Sequence, residues 1–138
     1  MKPIYEVYPI GVIRKKNDEK TWIEIDQEYT DALLGVDGFS HLVVCYWFHE
    51  NDTPEKRRVL QIHPRKDPQN PLTGIFGTHS PLRPNLIAIS YCKKLSIENN
   101  VIFIDRIDAF DGSPVIDIKP YIPIDALKTE DIIVPAWV

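Results

Sequence analysis

The sequence predicts a mainly β fold, a barrel or a sandwich, on three observations: short apolar runs recur at regular spacing, turn-forming clusters separate them, and helical periodicity appears in one short stretch. Residues 5–13 read as a first strand and 21–25 as a second. The charged segment 14–20 between them has no apolar residue and reads as an exposed hairpin loop. In 28–34, Tyr29, Ala32 and Leu33 fall at helical spacing and the pattern stops at Gly35. One short helix is expected there, with Gly35 or Gly38 supplying the positive-φ terminus. Residues 40–48 are almost continuously apolar and rich in Val, Tyr, Trp and Phe, which predicts a strand covered on both faces, by the core and by a partner subunit. Residues 49–73 carry Pro54, Pro64, Pro68 and Pro71 and form the longest expected loop, a lid or part of a partner surface. Three more strands are expected at 85–95, 101–107 and 115–118, joined by turns at Glu98-Asn99-Asn100 and Asp111-Gly112.

At 138 residues the chain is expected to be one domain, 1–138. A formal charge of −4, from 16 Lys and Arg against 20 Asp and Glu, excludes a sequence-blind nucleic-acid binder, which needs a clustered cationic excess. Lys56-Arg57-Arg58 and Arg65-Lys66 are local clusters and read as solvated loops. Cys45 and Cys92 lie within apolar runs with no secretory leader ahead of them, so a reducing cytoplasm is expected. No apolar run approaches the roughly 18 residues that cross a bilayer.

His41, Cys45 and His49 share one face of the apolar strand, but positions four apart on a strand stand roughly 13 Å from each other, too far for shared ligation. His63 and His79 have no Cys or His at metal-ligand spacing, so no metal is expected. Ser80 beside His79 is the one suggestive nucleophile pair, yet neighbours on an extended chain point apart. A Gly-x-Ser-x-Gly elbow and a phosphate-binding glycine loop are both missing.

Two dense polar stretches remain, Gly74-Ile-Phe-Gly-Thr-His-Ser-Pro-Leu-Arg-Pro-Asn85 and Asp111-Gly-Ser-Pro-Val-Ile-Asp-Ile-Lys-Pro-Tyr121. Pro81 and Pro84 restrict the backbone of the first and push Ser80 and Arg83 toward extended conformations. In the second, the strand period places Asp117, Lys119 and Tyr121 on one face and Ile116 and Ile118 on the other. Such loops suit a small zwitterionic or nucleotide-like ligand. Arg83 can fork onto a carboxylate while Thr78, Ser80 and Asn85 donate and accept; alternatively Arg83 is a strut to Asp111 or Asp117.

The first stretch resembles the signature GVFATRSPxRPNPIG, the second with Ile122 and Pro123 resembles DGTPVLDIKPYxP, and Gly38-Phe-Ser-His-Leu42 is similar to GFSHLW. On these motifs the chain resembles the TsaA-like, or TrmO, family. The resemblance implies a small β-barrel with one short helix and long loops, usually a homodimer. It also implies binding of S-adenosylmethionine and N6-methylation of threonylcarbamoyl-modified adenosine beside the anticodon of tRNA. Carried onto this chain, the cofactor residues are Phe76, Gly77, Thr78, His79, Ser80, Arg83, Asn85, Asp111, Gly112, Ser113, Pro114, Asp117 and Lys119. The catalytic candidates are Arg83, Asp117, Lys119 and Tyr121, and His41 is expected near the subunit contact. His79 stands where the family has Arg, Leu86 and Ala88 replace a Pro and a Gly, and no C-terminal extension domain is expected. A non-catalytic module that binds the cofactor or a related nucleotide and acts through a protein partner is the alternative, as is a methyltransferase on another substrate.

Overall fold

The computed structural model describes residues 1–138. It contains eight strands: β1 (Gly11–Lys16), β2 (Lys20–Ile25), β3 (His41–Trp47), β4 (Gln61–Ile62), β5 (Thr73–Gly74), β6 (Ile87–Glu98), β7 (Val101–Ile104) and β8 (Pro114–Pro120). Six of them close a barrel in the order β1-β2-β7-β6-β3-β8, every pair antiparallel, and β4 pairs with β5 separately. Residues 1–49 with 87–121 form one compact unit, which holds the barrel, and residues 50–86 with 122–138 form the other.

Two-residue alternation fills the barrel. Leu42, Val44 and Tyr46 of β3 point inward and meet Ile13, Ile23, Ile102, Ile104 and Val115 in one buried cluster, while Val43, Cys45 and Trp47 take the outer, half-buried face. Gly11 sits so close to β2 that a Cβ there would fall on the Glu24 carbonyl oxygen, so only glycine permits this approach.

The first strand differs from expectation at both ends. It begins at Gly11 because its ladder to β8 ends there: Gly11 pairs with Val115, and the Ile10 N–H donates to the Val115 carbonyl at 2.8 Å, whereas residues 1–9 lie exposed outside any strand. It continues through the charged Arg14–Lys16 because pairing with β2 requires only backbone groups, and Lys15 Nζ donates to the Ile107 carbonyl at 2.6 Å. The helix expected over 28–34 is a 3₁₀ helix, Gln27–Leu33, followed by Gly35 at φ 81°. Tyr29 and Ala32, three apart, suit the three-residue turn equally well. A four-residue α-helix, α1 (Pro54–Arg57), lies instead in the expected long loop, where the Thr53 hydroxyl accepts from the Lys56 N–H at 3.2 Å.

Burial pushes the Cys92 thiol up to about 11 from its ordinary 9.0, with Asp105 adding to the shift. The unfolded chain therefore loses this proton first. The stability that the neutral thiol contributes is complete below pH 9 and is lost as pH rises through 11. Urea denaturation from pH 8 to 11 should show a falling midpoint, and Cys92→Ala should flatten that slope while lowering the midpoint at pH 8. An unchanged slope in the variant would refute the assignment.

The other unit is built around the ribbon, in which Gln61 faces Gly74 and Ile62 faces Thr73, and it buries Pro64, Ile75 and Leu86. No helix in the chain is long and apolar enough to cross a membrane.

Candidate functional site

The first polar stretch belongs to the unit of residues 50–86 and 122–138, and its own bonds hold it in shape. Ile75 is buried and its N–H donates to the Leu60 carbonyl at 2.9 Å. After the 3₁₀ turn Ile75–Gly77, the Thr78 hydroxyl donates to the Ile75 carbonyl at 2.8 Å and accepts from the Ser80 N–H at 3.3 Å. Ser80 Oγ accepts from the Leu82 N–H at 3.1 Å and keeps its own proton to donate. Arg83 ties these turns together: its Nη1 donates to the Thr78 and Ser80 carbonyls at 3.1 and 3.2 Å. Arg83 is thus a strut, but to its own loop rather than to Asp111 or Asp117. Further along, Arg57 Nε donates to the Pro84 carbonyl at 2.9 Å. Phe76 and Asn85 are exposed.

Gly77, Thr78, His79 and Ser80 line a cavity of about 780 Å³, largely apolar, inside this unit. Its volume falls in the range of small-molecule sites, about 300–1,000 Å³. The lining also includes His63, Arg65, Lys66 and Trp137, none of which sequence reasoning singled out as a binding residue. Arg65 and Lys66 are both left-handed, at φ 59° and 56°, a conformation that non-glycine residues adopt at a cost. The turn that carries them is pinned. Pro64 is buried, Asn70 Nδ2 donates to the Pro64 carbonyl at 2.8 Å, and the Asn70 carbonyl meets His63 Nδ1 at 2.8 Å.

In the barrel unit, the Asp111–Pro114 turn closes β8 onto β1. Asp111 Oδ1 accepts from the Lys15 N–H at 2.9 Å, Gly112 sits at φ 85° with its N–H on the Ile13 carbonyl, and the buried Ser113 hydroxyl donates to the Phe110 carbonyl at 2.7 Å. The side chains of Asp111 and Ser113 are therefore engaged in building the barrel. A bulge follows. Tyr46 pairs with Val115 but Cys45 pairs with Asp117, so Val115 points inward while Asp117 and Lys119 point outward. Ile118 packs against the core, as the two-residue period predicts. Asp117 Oδ2 and Lys119 Nζ stand 3.3 Å apart, an open ion pair. Tyr121 instead makes an edge-to-face pair with Tyr91, centroids 5.4 Å apart.

Cys45 of β3 pairs with Asp117 of β8, and its thiol is raised by burial first, then by the Asp117 carboxylate, with Lys119 opposing. His41 Nδ1 meets Ser40 Oγ at 2.7 Å. No group of three or more His, Cys, Asp or Glu side chains is placed to hold a metal ion.

The family model of the tRNA-methyltransferase O N-terminal domain matches residues 9–126. A probable S-adenosyl-L-methionine-binding protein of Methanocaldococcus jannaschii is 45% identical over 116 residues, covering 84% of this chain and 91% of that one. The tRNA (adenine(37)-N6)-methyltransferase of Mus musculus is 37% identical over 91 residues, which is 66% of this chain and 20% of that protein. A crystal structure of TrmO from Pseudomonas aeruginosa superposes with a TM-score of 0.70 at 26% identity over 92% of this chain, which spans 60% of that one. With its closed six-stranded barrel and a domain match over most of its length, the chain belongs to the tRNA-methyltransferase O family.

Proposed function

We propose that the protein is an S-adenosylmethionine-dependent methyltransferase acting on tRNA, at N6 of the threonylcarbamoyl-modified adenosine beside the anticodon. One observation carries this reading: the pre-shaped wall Gly77–Ser80, braced by Arg83, faces a cavity of about 780 Å³ with apolar surface for rings and a free hydroxyl proton on Ser80. The donor set suits a nucleoside that carries an amino-acid tail. When bound, the cofactor supplies an electrophilic methyl group on a sulfonium. The protein's part is alignment: an in-line displacement gains most from holding the reacting atoms at about 3–3.5 Å, which a braced loop does without forming a covalent intermediate. The names of the relatives, S-adenosyl-L-methionine-binding protein in one case and tRNA (adenine(37)-N6)-methyltransferase in the other, support the same reading.

The exposed pair Asp117 and Lys119 is assigned to orienting charge on cofactor or substrate, and Asp111, Gly112, Ser113 and Pro114 to shaping that strand's approach. Calorimetric titration with S-adenosylmethionine tests the cofactor assignment, and methylation of bulk tRNA from a methylase-deficient host tests the reaction. The archaeal relative is named for binding alone, and that favours a second reading, a cofactor-binding module without transfer. Saturable binding with no methylated tRNA would select it.

A homodimer is part of the proposal. The outer face of β3 and β6 sets Val43, Cys45 and Trp47 opposite Tyr91, Ile89 and Ile87, and those three residues of β6 are exposed. A cytoplasmic location is part of the same proposal.

A further inference from the structure

The proposed function leaves part of the cavity wall without a task. His63, Arg65, Lys66 and Trp137 line it together with the Gly77–Ser80 loop. Neither Arg65 nor Lys66 makes an ion pair or side-chain hydrogen bond. Asp67, the adjacent acid, has its Oδ1 on the Gln69 N–H at 2.9 Å. Two unpaired cations thus sit side by side on a turn held in a costly left-handed conformation by Pro64 and Asn70. Glycine or asparagine would adopt that backbone with less strain; basic side chains occupy it instead. Because His63 Nδ1 faces a carbonyl, it must donate, which leaves Nε2 of the neutral ring as an acceptor.

We propose that this wall is the acceptor-nucleotide site: one unstacked base of single-stranded RNA enters the cavity against Trp137, with its flanking phosphates on Arg65 and Lys66. Three chemistries favour that occupant. An aromatic face takes a base of any sequence, adjacent unpaired cations complement phosphate, and a bare imidazole nitrogen accepts an exocyclic N–H. The inference rests on the methyltransferase reading, since both reactants of a direct transfer must share one cavity. It also resolves a conflict with composition. A chain of net charge −4 cannot hold RNA by bulk attraction, but it can through a small site with local cations and an aromatic surface.

The test is fluorescence anisotropy with a labelled anticodon stem-loop RNA, run beside the S-adenosylmethionine-induced melting shift on the same proteins. Trp137→Ala should weaken RNA binding by about 10-fold or more, and Trp137→Phe should restore most of it. Arg65→Ala with Lys66→Ala should weaken binding and reduce the slope of log K against log salt by roughly 0.7 per lost phosphate contact. Both variants should keep the cofactor's melting shift, and Lys20→Ala, in the barrel hairpin, should bind RNA like the wild type. Unchanged RNA affinity in both cavity variants would overturn the proposal, as would loss of the cofactor shift together with RNA binding, because the cavity would then hold cofactor alone. Wild-type protein that binds the cofactor but not the RNA overturns this inference and leaves the cofactor assignment standing. The reverse result overturns the cofactor assignment.

Discussion

Arg83→Ala should leave a folded protein whose methyl transfer and cofactor affinity fall by about 10- to 100-fold, the effect of losing charge-assisted hydrogen bonds of roughly 1.5–3 kcal/mol. The guanidinium bonds two carbonyls five and three residues back, those of Thr78 and Ser80. Without it both acceptors lose their charged partner, and the turns from Thr78 to Leu82 keep only the weaker uncharged bonds of the Thr78 and Ser80 hydroxyls and the Thr78 N–H. Both bonds come from Nη1, and a lysine Nζ ends one bond short of that position, so Arg83→Lys should recover only part of the loss. Lys119→Ala should lower transfer by about 10-fold through loss of the cation paired with Asp117, again with the fold intact. Lys56→Ala removes a charge whose Nζ bonds the Glu50 carbonyl and which is not part of the cavity lining, and should leave cofactor binding near wild type. Wild-type kinetics in both Arg83→Ala and Lys119→Ala would make these residues supports of the fold alone.

Ile89→Asp should convert a dimer into a monomer. Ile89 is 58% exposed and Tyr91 69%, on the strand next to Val43 and Cys45. This exposed apolar strip is the surface proposed to pair with a second copy of the chain. A carboxylate in its centre would have to be desolvated without a partner, which should weaken association by at least about 100-fold, or roughly 3 kcal/mol. Light scattering of the wild type at micromolar concentration should give twice the 15.9 kDa chain mass, and the variant should give the single-chain mass with an unchanged far-ultraviolet spectrum. A wild-type monomer at every concentration would remove the dimer from the account.

Much of the barrel was legible because burial and chain period agree. The β3 segment, expected over 40–48 and found at His41–Trp47, has an inner face of Leu42, Val44 and Tyr46 that no other register would bury. The extent of β1 was not legible, since Tyr5 and Val7 carry strand-like side chains while strand formation depended on where the β8 ladder ended. The outward turn of Asp117 and Lys119 followed from period, but the bulge that lets Val115 point inward two residues earlier did not, because a bulge arises from two strands together. At the site, the loop character of residues 74–85 was readable from its prolines, whereas the partner of Arg83 was not: backbone carbonyls leave no mark in the sequence. That Trp137, Arg65 and Lys66 line a cavity was not legible for a related reason. The left-handed turn and the cavity they line are tertiary features, and basic loop residues otherwise read as solvated.

The most direct test of the central claim is transfer of a labelled methyl group from S-adenosylmethionine to bulk tRNA from a host lacking the methylase, followed by nucleoside analysis. The account predicts label in one nucleoside, the N6-methylated threonylcarbamoyladenosine, with incorporation lost in Arg83→Ala. Absence of label from tRNA, with folded wild-type protein and saturating cofactor, would contradict it.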